Sequence, residues 1–487
     1  MVFTRKRTSG LSAPLFLTAD YTYRYRKKLE DVMKDWFENA FFYHIYPLGL
    51  CGAPERNDFA APPEERLRQV FAWLDYAQEL GVTALILGPV LESTTHGYDT
   101  ADYFKVDRRL GNDALLKELV HHAHTLGIRV LLDAVFGHTG RDFWAFRDLQ
   151  KNGCASAYKD WYRGIDFNKR SQLGDAFAYE YWQDAQELPR LRLDYPGVRR
   201  HLLDAVSHWV QNYDIDGLRL DTADSLDLEF LTILRRHTDG LKSDFFLMGE
   251  AIHGDYNLLA NPNRLHSATN YEAYKGLWSS HYDSNCFEIA YTLNRQFGET
   301  GLYRGLPLYN FADNHDVDRV ASKLRKREQL FSLYCLLFTI PGVPSVYCGS
   351  EWGLEARRTP TDDRMLRPAL SLEEMRRDRP QDLTDAIRRL SHLRQNTPAL
   401  RGGTYRQLGL GAEYLAFERT WGSENTAVVV NIGSQPIPLK EILRGNSVRG
   451  WRDLLNIDDG LMTDQAQAPP CWARVLQRVS SGRETVA

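Results

Sequence analysis

From about residue 40 the chain alternates short apolar runs with stretches whose apolar positions recur every three or four residues. Phe41-Phe42-Tyr43-His44-Ile45-Tyr46 reads as a strand; Leu67, Val70, Phe71 and Leu74 follow at helical spacing, and Gly81 closes that stretch. Residues 83–87 form the next strand. Leu115, Leu116, Leu119, Val120 and Ala123 mark a helix that Gly127 stops, and residues 128–132 form a third strand leading into Asp133. After an interruption the beat resumes with a helix marked by Leu202, Val206, Trp209 and Val210. Strands four, five, seven and eight are read at 217–220, 245–248, 308–311 and 343–347. Runs that are apolar at every position are buried on both faces, as in a parallel sheet covered by helices. Repeated βα units over roughly 350 residues predict an α/β chain with a (β/α)8 TIM barrel. A doubly wound sheet is the alternative, but no strand is followed by a GxGxxG turn.

The interruption, residues 139–190, is polar and aromatic, with Trp144, Trp161, Tyr162, Tyr181 and Trp182. It reads as a loop domain inserted after strand three. Beyond Arg401-Gly402-Gly403 the runs Tyr414-Leu415-Ala416-Phe417 and Ala427-Val428-Val429-Val430 predict antiparallel strands. The expected organisation is an N-terminal helical extension at 1–39 with a charged helix at 21–36, the barrel at 40–138 and 191–400, the insertion at 139–190, and a C-terminal all-β sandwich at 401–487.

Composition narrows the function classes. Lys and Arg number 60 against 64 Asp and Glu, a net charge of −4 with no basic half. No nucleic-acid partner is expected, and an uncharged substrate fits. Six scattered cysteines without a CxxC pair suit a cytoplasmic protein rather than a disulfide framework. Arg5-Lys6-Arg7 precede a short apolar patch broken by Pro14, a poor export signal, and no run of 18 apolar residues predicts a membrane span.

Ionisable residues stand just past several strand ends: Asp133 after strand three, Asp221 after four, Glu250 after five and Asp316 after seven. Alone, each reads as a helix N-cap. Together, on the face where barrel strand ends converge, they read as a site. Glycoside hydrolysis needs two such carboxyl groups, one to protonate the leaving oxygen and one to attack or stabilise the oxocarbenium-like carbon. Adjacent strands four and five could hold them at the roughly 5–5.5 Å that retention requires. Arg219, two residues before Asp221, points to the same face and is expected to keep Asp221 ionised; its bland reading is a structural ion pair.

In these segments the chain resembles the α-amylase family of (β/α)8 glycosidases, which includes cyclomaltodextrinases and neopullulanases. The matching segments run from about Tyr43 to Arg364: Asp133-Ala134-Val135-Phe136-Gly137-His138, Gly217-Leu218-Arg219-Leu220-Asp221, Gly249-Glu250-Ala251-Ile252-His253, Phe311-Ala312-Asp313-Asn314-His315-Asp316, Leu188-Pro189-Arg190-Leu191 and His96-Gly97-Tyr98-Asp99. The resemblance implies Asp221 as nucleophile, Glu250 as general acid/base and Asp316 as transition-state stabiliser. It implies substrate contacts from Tyr98, Asp99, Asp133, His138, Arg219, His253, His315 and Arg364, with Tyr98 stacking under the cleaved sugar. The implied activity is hydrolysis of α-glucosidic, mainly α-1,4, bonds of maltodextrins, with an oligosaccharide as partner and no cofactor.

A transglycosylase on the same scaffold is the second reading, since a sugar hydroxyl can replace water in the second half-reaction. A non-catalytic binding protein ranks low because all three carboxylates are kept. The departures lie at Gly137, where many relatives have Asn, at Asp224 and Ser225 after the nucleophile, and at Ile252 after the acid/base. Gly137 offers no side-chain oxygen for a structural Ca²⁺, and residues 49–58 lack the alternating oxygen ligands of the other family Ca²⁺ loop; no metal is expected at either place. No N-terminal β domain is visible in the first 40 residues, so no dimer through one is inferred, and the oligomeric state stays open.

Overall fold

The computed structural model of the chain describes residues 36–359, 362–443 and 447–478. The expected charged helix at 21–36 lies outside them, save for Trp36. Eight parallel strands form the barrel: β1 (Phe42–Ile45), β2 (Ala84–Leu87), β3 (Arg129–Ala134), β4 (Gly217–Leu220), β5 (Phe246–Gly249), β6 (Ser267–Ala268), β7 (Tyr309–Phe311) and β8 (Val343–Tyr347). They pair in the order β6-β5-β4-β3-β2-β1-β8-β7. A single bridge between Thr269 and Tyr309 joins the two end strands, and the Asn270 N–H donates to the Tyr309 carbonyl at 2.9 Å. Strand β6 has no apolar run. Ser267 is tied instead by its hydroxyl, which donates to the Pro307 carbonyl at 2.7 Å.

Helices α1 (Arg68–Glu79), α2 (Asp113–Thr125), α3 (Pro196–Tyr213), α4 (Leu228–Leu241), α5 (Tyr271–Tyr282), α6 (Phe287–Phe297), α7 (Gln329–Thr339) and α8 (Asp382–Asn396) cover the sheet. Helix α1 buries Val70, Trp73, Leu74, Tyr76 and Ala77. Asn112 caps α2 by accepting from the Leu115 N–H. Helix α3 starts on Pro196, whose missing N–H would have no helical partner there.

Register is what positions the site. Asp133 lies opposite Arg219, and Leu220 opposite Gly249. Asp221 and Glu250 therefore emerge side by side, each donating its N–H to the neighbouring strand, to Ala134 at 3.0 Å and Leu220 at 2.9 Å. A Cβ on Gly249 would come within 2.5 Å of Leu265 and 2.7 Å of Ala223, so only glycine lets the strand deliver Glu250 there. At the opposite end of β4, Asp216 is fully buried. It accepts from His124 Nε2 at 2.7 Å, Arg129 Nη1 at 2.8 Å, Lys242 Nζ at 2.9 Å and the Val130 N–H at 2.9 Å.

The segment 139–190 holds a helix (Trp144–Asn152) and a hairpin of Tyr181–Trp182 with Ala185–Pro189. Its ends are tied together by Thr139 N–H to Pro189 at 3.1 Å and Leu191 N–H to Gly137 at 3.0 Å. Phe146, Tyr162, Phe177 and Tyr179 form its aromatic core.

A short helix, α9 (Pro398–Gly402), leads into a five-stranded antiparallel sheet of β9 (Thr404–Leu410), β10 (Tyr414–Trp421), β11 (Glu424–Asn431), β12 (Trp451–Asp453) and β13 (Trp472–Arg478), ordered β9-β10-β11-β13-β12. The period of two decides its packing. Leu415, Phe417, Val428 and Val430 join the core that includes the barrel helices, while Ala416, Ala427 and Val429 face a separate cluster with Leu439 and Ile442. That second face is covered by a four-residue helix, Leu439–Ile442, and a ribbon of Ile437–Pro438 with Gln467–Ala468, where a sandwich would place a second full sheet.

Burial pushes the Asp216 carboxyl upward, but His124, Arg129, Val130 and Lys242 outweigh it and hold it well below the usual carboxylate range. A depressed carboxylate stabilises the fold above its unfolded-state pKa and loses that contribution as pH falls through the folded one. Asp216→Ala is expected to cost about 1–3 kcal/mol at neutral pH, because the Val130 N–H loses its acceptor and the partly exposed His124, Arg129 and Lys242 lose their shared counter-charge. The check is urea denaturation at pH 7 and pH 3.5, with the gap between wild type and variant narrowing at the lower pH.

Candidate active site

Asp133, Arg219, Asp221 and Glu250 meet at the ends of β3, β4 and β5, each less than a tenth exposed. One guanidinium serves three carboxylates. Arg219 Nη1 donates to both Asp133 oxygens at 2.8 Å and to Asp221 Oδ1 at 3.2 Å, and Nη2 reaches Glu250 Oε1 at 2.9 Å. Asp221 and Glu250 thus lie within reach of a single side chain.

Thr222, directly after Asp221, has φ 45° and ψ 44°. A β-branched residue in the left-handed region is strained. The strain turns its N–H onto Glu250 Oε2 at 3.1 Å. The Tyr271 hydroxyl, at the start of α5, donates to Glu250 Oε1 at 3.2 Å and accepts from Asn314 Nδ2 at 3.3 Å. Asp224 anchors the following loop, accepting from the Ile252 N–H at 3.0 Å.

The loop after β7 brings His315 and Asp316. His315 is fully buried between the rings of Tyr98 and Tyr46, with centroids 5.6 Å away on each side and interplanar angles of 5° and 13°. Its Nε2 meets the Tyr98 hydroxyl and Asp316 Oδ2 at 3.0 Å. Tyr98 also donates to Asp133 Oδ2 at 2.9 Å, which links the two halves of the cluster. Arg367 Nη2 donates to Asp316 Oδ1 at 2.7 Å and pairs with Asp363 at 2.6 Å, its guanidinium 4.7 Å from the Tyr46 ring centroid. A cavity of about 890 Å³ opens beside Tyr46 and Arg367.

Tyr98 and Asp99 sit between Leu91–Ser93 and Thr100–Val106, a hairpin that the periodicity did not reveal. Buried Arg109 braces it, paired with Asp107 at 2.7 Å and donating to the Thr95 carbonyl at 2.7 Å. Asp99 spends its carboxylate on the Thr95 N–H and hydroxyl, at 3.0 and 2.6 Å. His138 is buried beneath Trp182, ring centroids 6.0 Å apart, and neither ring nitrogen has a hydrogen-bond partner. Burial lowers its pKa to about 3, so it is a neutral imidazole.

Two expected contacts fall outside the cluster. His253 lies exposed on the loop after Glu250. The Arg364 side chain is 64% exposed and pairs with Asp362 and Glu55. The inward arginine of that turn is Arg367, three residues on. Thr222, Tyr271 and Arg367 were not singled out from the sequence. Tyr271 follows Asn270, whose side chain caps α5, and only that cap geometry would have directed attention to it.

The two family Ca²⁺ positions differ in their surroundings. A Cβ on Gly137 would touch Leu226 at 3.3 Å, and the adjoining cavity is walled by Arg163, Arg190 and Arg192 beside Asp194 and Asp227. Guanidinium groups do not suit a hard cation. In the other loop Asp58 Oδ1 accepts from the Ala60 and Ala61 N–H groups, at 3.0 and 2.9 Å. Among the described residues no group of three or more His, Cys, Asp or Glu could hold a metal ion.

The carboxylates differ in environment. Burial lifts Asp221 well above the usual carboxylate range; Arg219 opposes this, and Glu250 and Asp133 add to it. Arg219 thus acts in the expected direction, toward the ionised form of Asp221, while burial acts against it. Burial also pushes Asp316 upward, but His315 and Arg367 outweigh it and hold it well below the usual range.

Residues 66–398 match the family described as alpha amylase, catalytic domain. A cyclomaltodextrinase from Geobacillus thermopakistaniensis is 30% identical over 440 residues, covering 83% of this chain and 71% of the relative. An intracellular maltogenic amylase from Bacillus subtilis is 28% identical over 433 residues, covering 84% and 71%. Among solved structures, the ligand-free cyclic α-maltosyl-(1→6)-maltose hydrolase from Arthrobacter globiformis superposes with a TM-score of 0.78 at 26% identity, covering 91% of this chain and all of that one.

The Asp221–Glu250 coupling has a kinetic consequence. With an activated aryl α-glucoside, Glu250→Gln is expected to move the acid limb of kcat/KM to lower pH. Removing one neighbouring negative charge lets Asp221 ionise more readily. A pH–rate profile of the two proteins checks this; an unmoved or raised limb contradicts the coupling.

Proposed function

The chain belongs to the α-amylase family, and from that premise we propose that it hydrolyses α-glucosidic bonds of maltodextrins with retention, through Asp221, Glu250 and Asp316. The observation that carries the reading is the single guanidinium of Arg219 bonded to Asp133, Asp221 and Glu250 at adjacent strand ends.

In the first step Glu250 donates its proton to the glycosidic oxygen. The C1–O bond breaks and Asp221 Oδ bonds to C1, giving a glycosyl-enzyme. In the second, the Glu250 carboxylate takes a proton from water while that water attacks C1 and releases Asp221. Two inversions restore the α configuration. Asp316, kept anionic by His315 and Arg367, supports the positive charge that builds on the sugar ring in both steps. Thr222, Tyr271 and Arg219 fix the Glu250 carboxyl, and Tyr98 supplies a flat face beside Asp133. We read Arg367, which donates to Asp316, as an arginine that meets the sugar there. Support for α-1,4-linked maltodextrins comes from the relatives named cyclomaltodextrinase and maltogenic amylase. We read the enzyme as cytoplasmic, because all six cysteines are unpaired and one relative is named intracellular.

Asp221→Asn is expected to remove nearly all turnover on every α-glucoside, by roughly 10⁴-fold or more. Glu250→Gln should lose as much on maltotriose and far less on an aryl glucoside with a good leaving group, which needs little protonation. Equal losses on both substrates would count against the acid assignment. NMR of the first-formed sugar, read before mutarotation, should show the α-anomer; a β-anomer would mean single displacement by water.

A further inference from the structure

At the N-terminal ends of β7 and β8, on the face of the barrel away from Asp221 and Glu250, lies a cavity of about 460 Å³ shared with the C-terminal sheet. Arg304, Arg401, Arg419 and Tyr405 line it, with Glu38 as its one carboxylate. Arg419 is 1% exposed and donates only to carbonyls: Thr339 at 2.7 Å, Gly403 at 2.9 Å and Thr404 at 3.2 Å. Behind it Arg394, 2% exposed, likewise bonds only carbonyls, of Phe338 at 3.0 Å and Leu400 at 2.8 Å. Among the described residues neither cation has a carboxylate partner. Burial lowers the pKa of both, with Arg401 adding to it at Arg394 and Arg394 adding to it at Arg419. Three donors remain unused among the described residues, the first being Arg394 Nε. Arg401 Nε is buried without a partner, and so is the hydroxyl of Tyr405, a residue 4% exposed.

A wall of guanidiniums with orphaned donors is chemically the inverse of the catalytic cluster. Buried cations without counter-charges are expensive, and a dianion would both neutralise them and accept from the free N–H and O–H. The cavity is large enough for a small ligand. We propose that this cavity binds a phosphoryl-bearing dianion, held by Arg401, Arg304 and Arg419 and by the Tyr405 hydroxyl. The shared chemistry is the phosphate group, whether inorganic phosphate or the phosphate of a monophosphate ester such as a sugar phosphate.

The test is calorimetric titration of the whole enzyme with inorganic phosphate, and separately with glucose 6-phosphate, against sodium chloride of matched ionic strength. Arg401→Met and Tyr405→Phe are compared with wild type; both leave the carbonyl bonds of Arg394 and Arg419 intact. Saturable binding of one anion per chain is expected, weakened at least tenfold in Arg401→Met and severalfold in Tyr405→Phe, with maltotriose turnover unchanged. Tighter binding of the ester assigns the source as a phosphorylated sugar, and equal binding assigns it as free phosphate. No saturable heat with either anion overturns the proposal, as does binding that survives Arg401→Met undiminished in protein whose melting curve shows it folded.

Discussion

Everything at the catalytic end of the barrel depends on one buried cation shared by three carboxylates. Without Arg219, Asp133, Asp221 and Glu250 would face one another in a low-dielectric pocket, and the repulsion would be settled by protonation or by movement. With it, the three are held at the ends of three adjacent strands in fixed register. The devices around the site serve that arrangement. Gly249 clears space for Glu250, the left-handed Thr222 turns a backbone donor onto it, and Tyr98 ties Asp133 to His315. Far below, Asp216 gathers His124, Arg129 and Lys242 and pins β3, β4 and β5 to one another at their other ends.

One cation among three anions cannot satisfy them equally, and the inequality is useful. Asp221 receives the longest of the Arg219 bonds, and burial raises its pKa. Asp316 has its own pair, His315 and Arg367, and stays anionic. Environments that push carboxyl groups apart in acidity are how a fold assigns different tasks to chemically similar side chains. A sugar entering the site changes the balance by excluding water and by presenting a carbon that gains positive charge.

The fold was legible because a parallel barrel buries both faces of its strands, and continuous apolar runs are hard to disguise. Strand β6 escaped for the same reason: Ser267-Ala268 closes the barrel through hydrogen bonds and one bridge, so it needs no apolar run. At the site, residues that leave strand ends were readable because strand position fixes where they go. Residues on turns were not. Arg364 and Arg367 share a short 3-10 turn, and nothing in their spacing says which one faces Asp316. Asp99 and His253 flank readable residues, yet one braces its own loop and the other lies in solvent. Thr222 could not be found from composition, because its role comes from a backbone angle.

The fold's own polarity gives the barrel an electrostatic axis. Each strand runs toward the catalytic face and each following helix runs back. Helix N-termini, with their partial positive charge, therefore gather around the carboxylates, and helix C-termini gather at the other end. Arg394 and Arg419 take the last carbonyls of α7, Phe338 and Thr339, and tie the C-terminal sheet to the barrel there. The net charge of −4 hides this axis entirely. An acid at the lower end, or an arginine at the upper one, opposes the helix dipoles, and direct partners must offset this, as His124, Arg129 and Lys242 do for Asp216 and three carboxylates do for Arg219. The buried charges that run against the dipoles are thus the ones with the most partners, whereas Arg394 and Arg419, which bond only carbonyls among the described residues, sit where helix C-termini favour a cation.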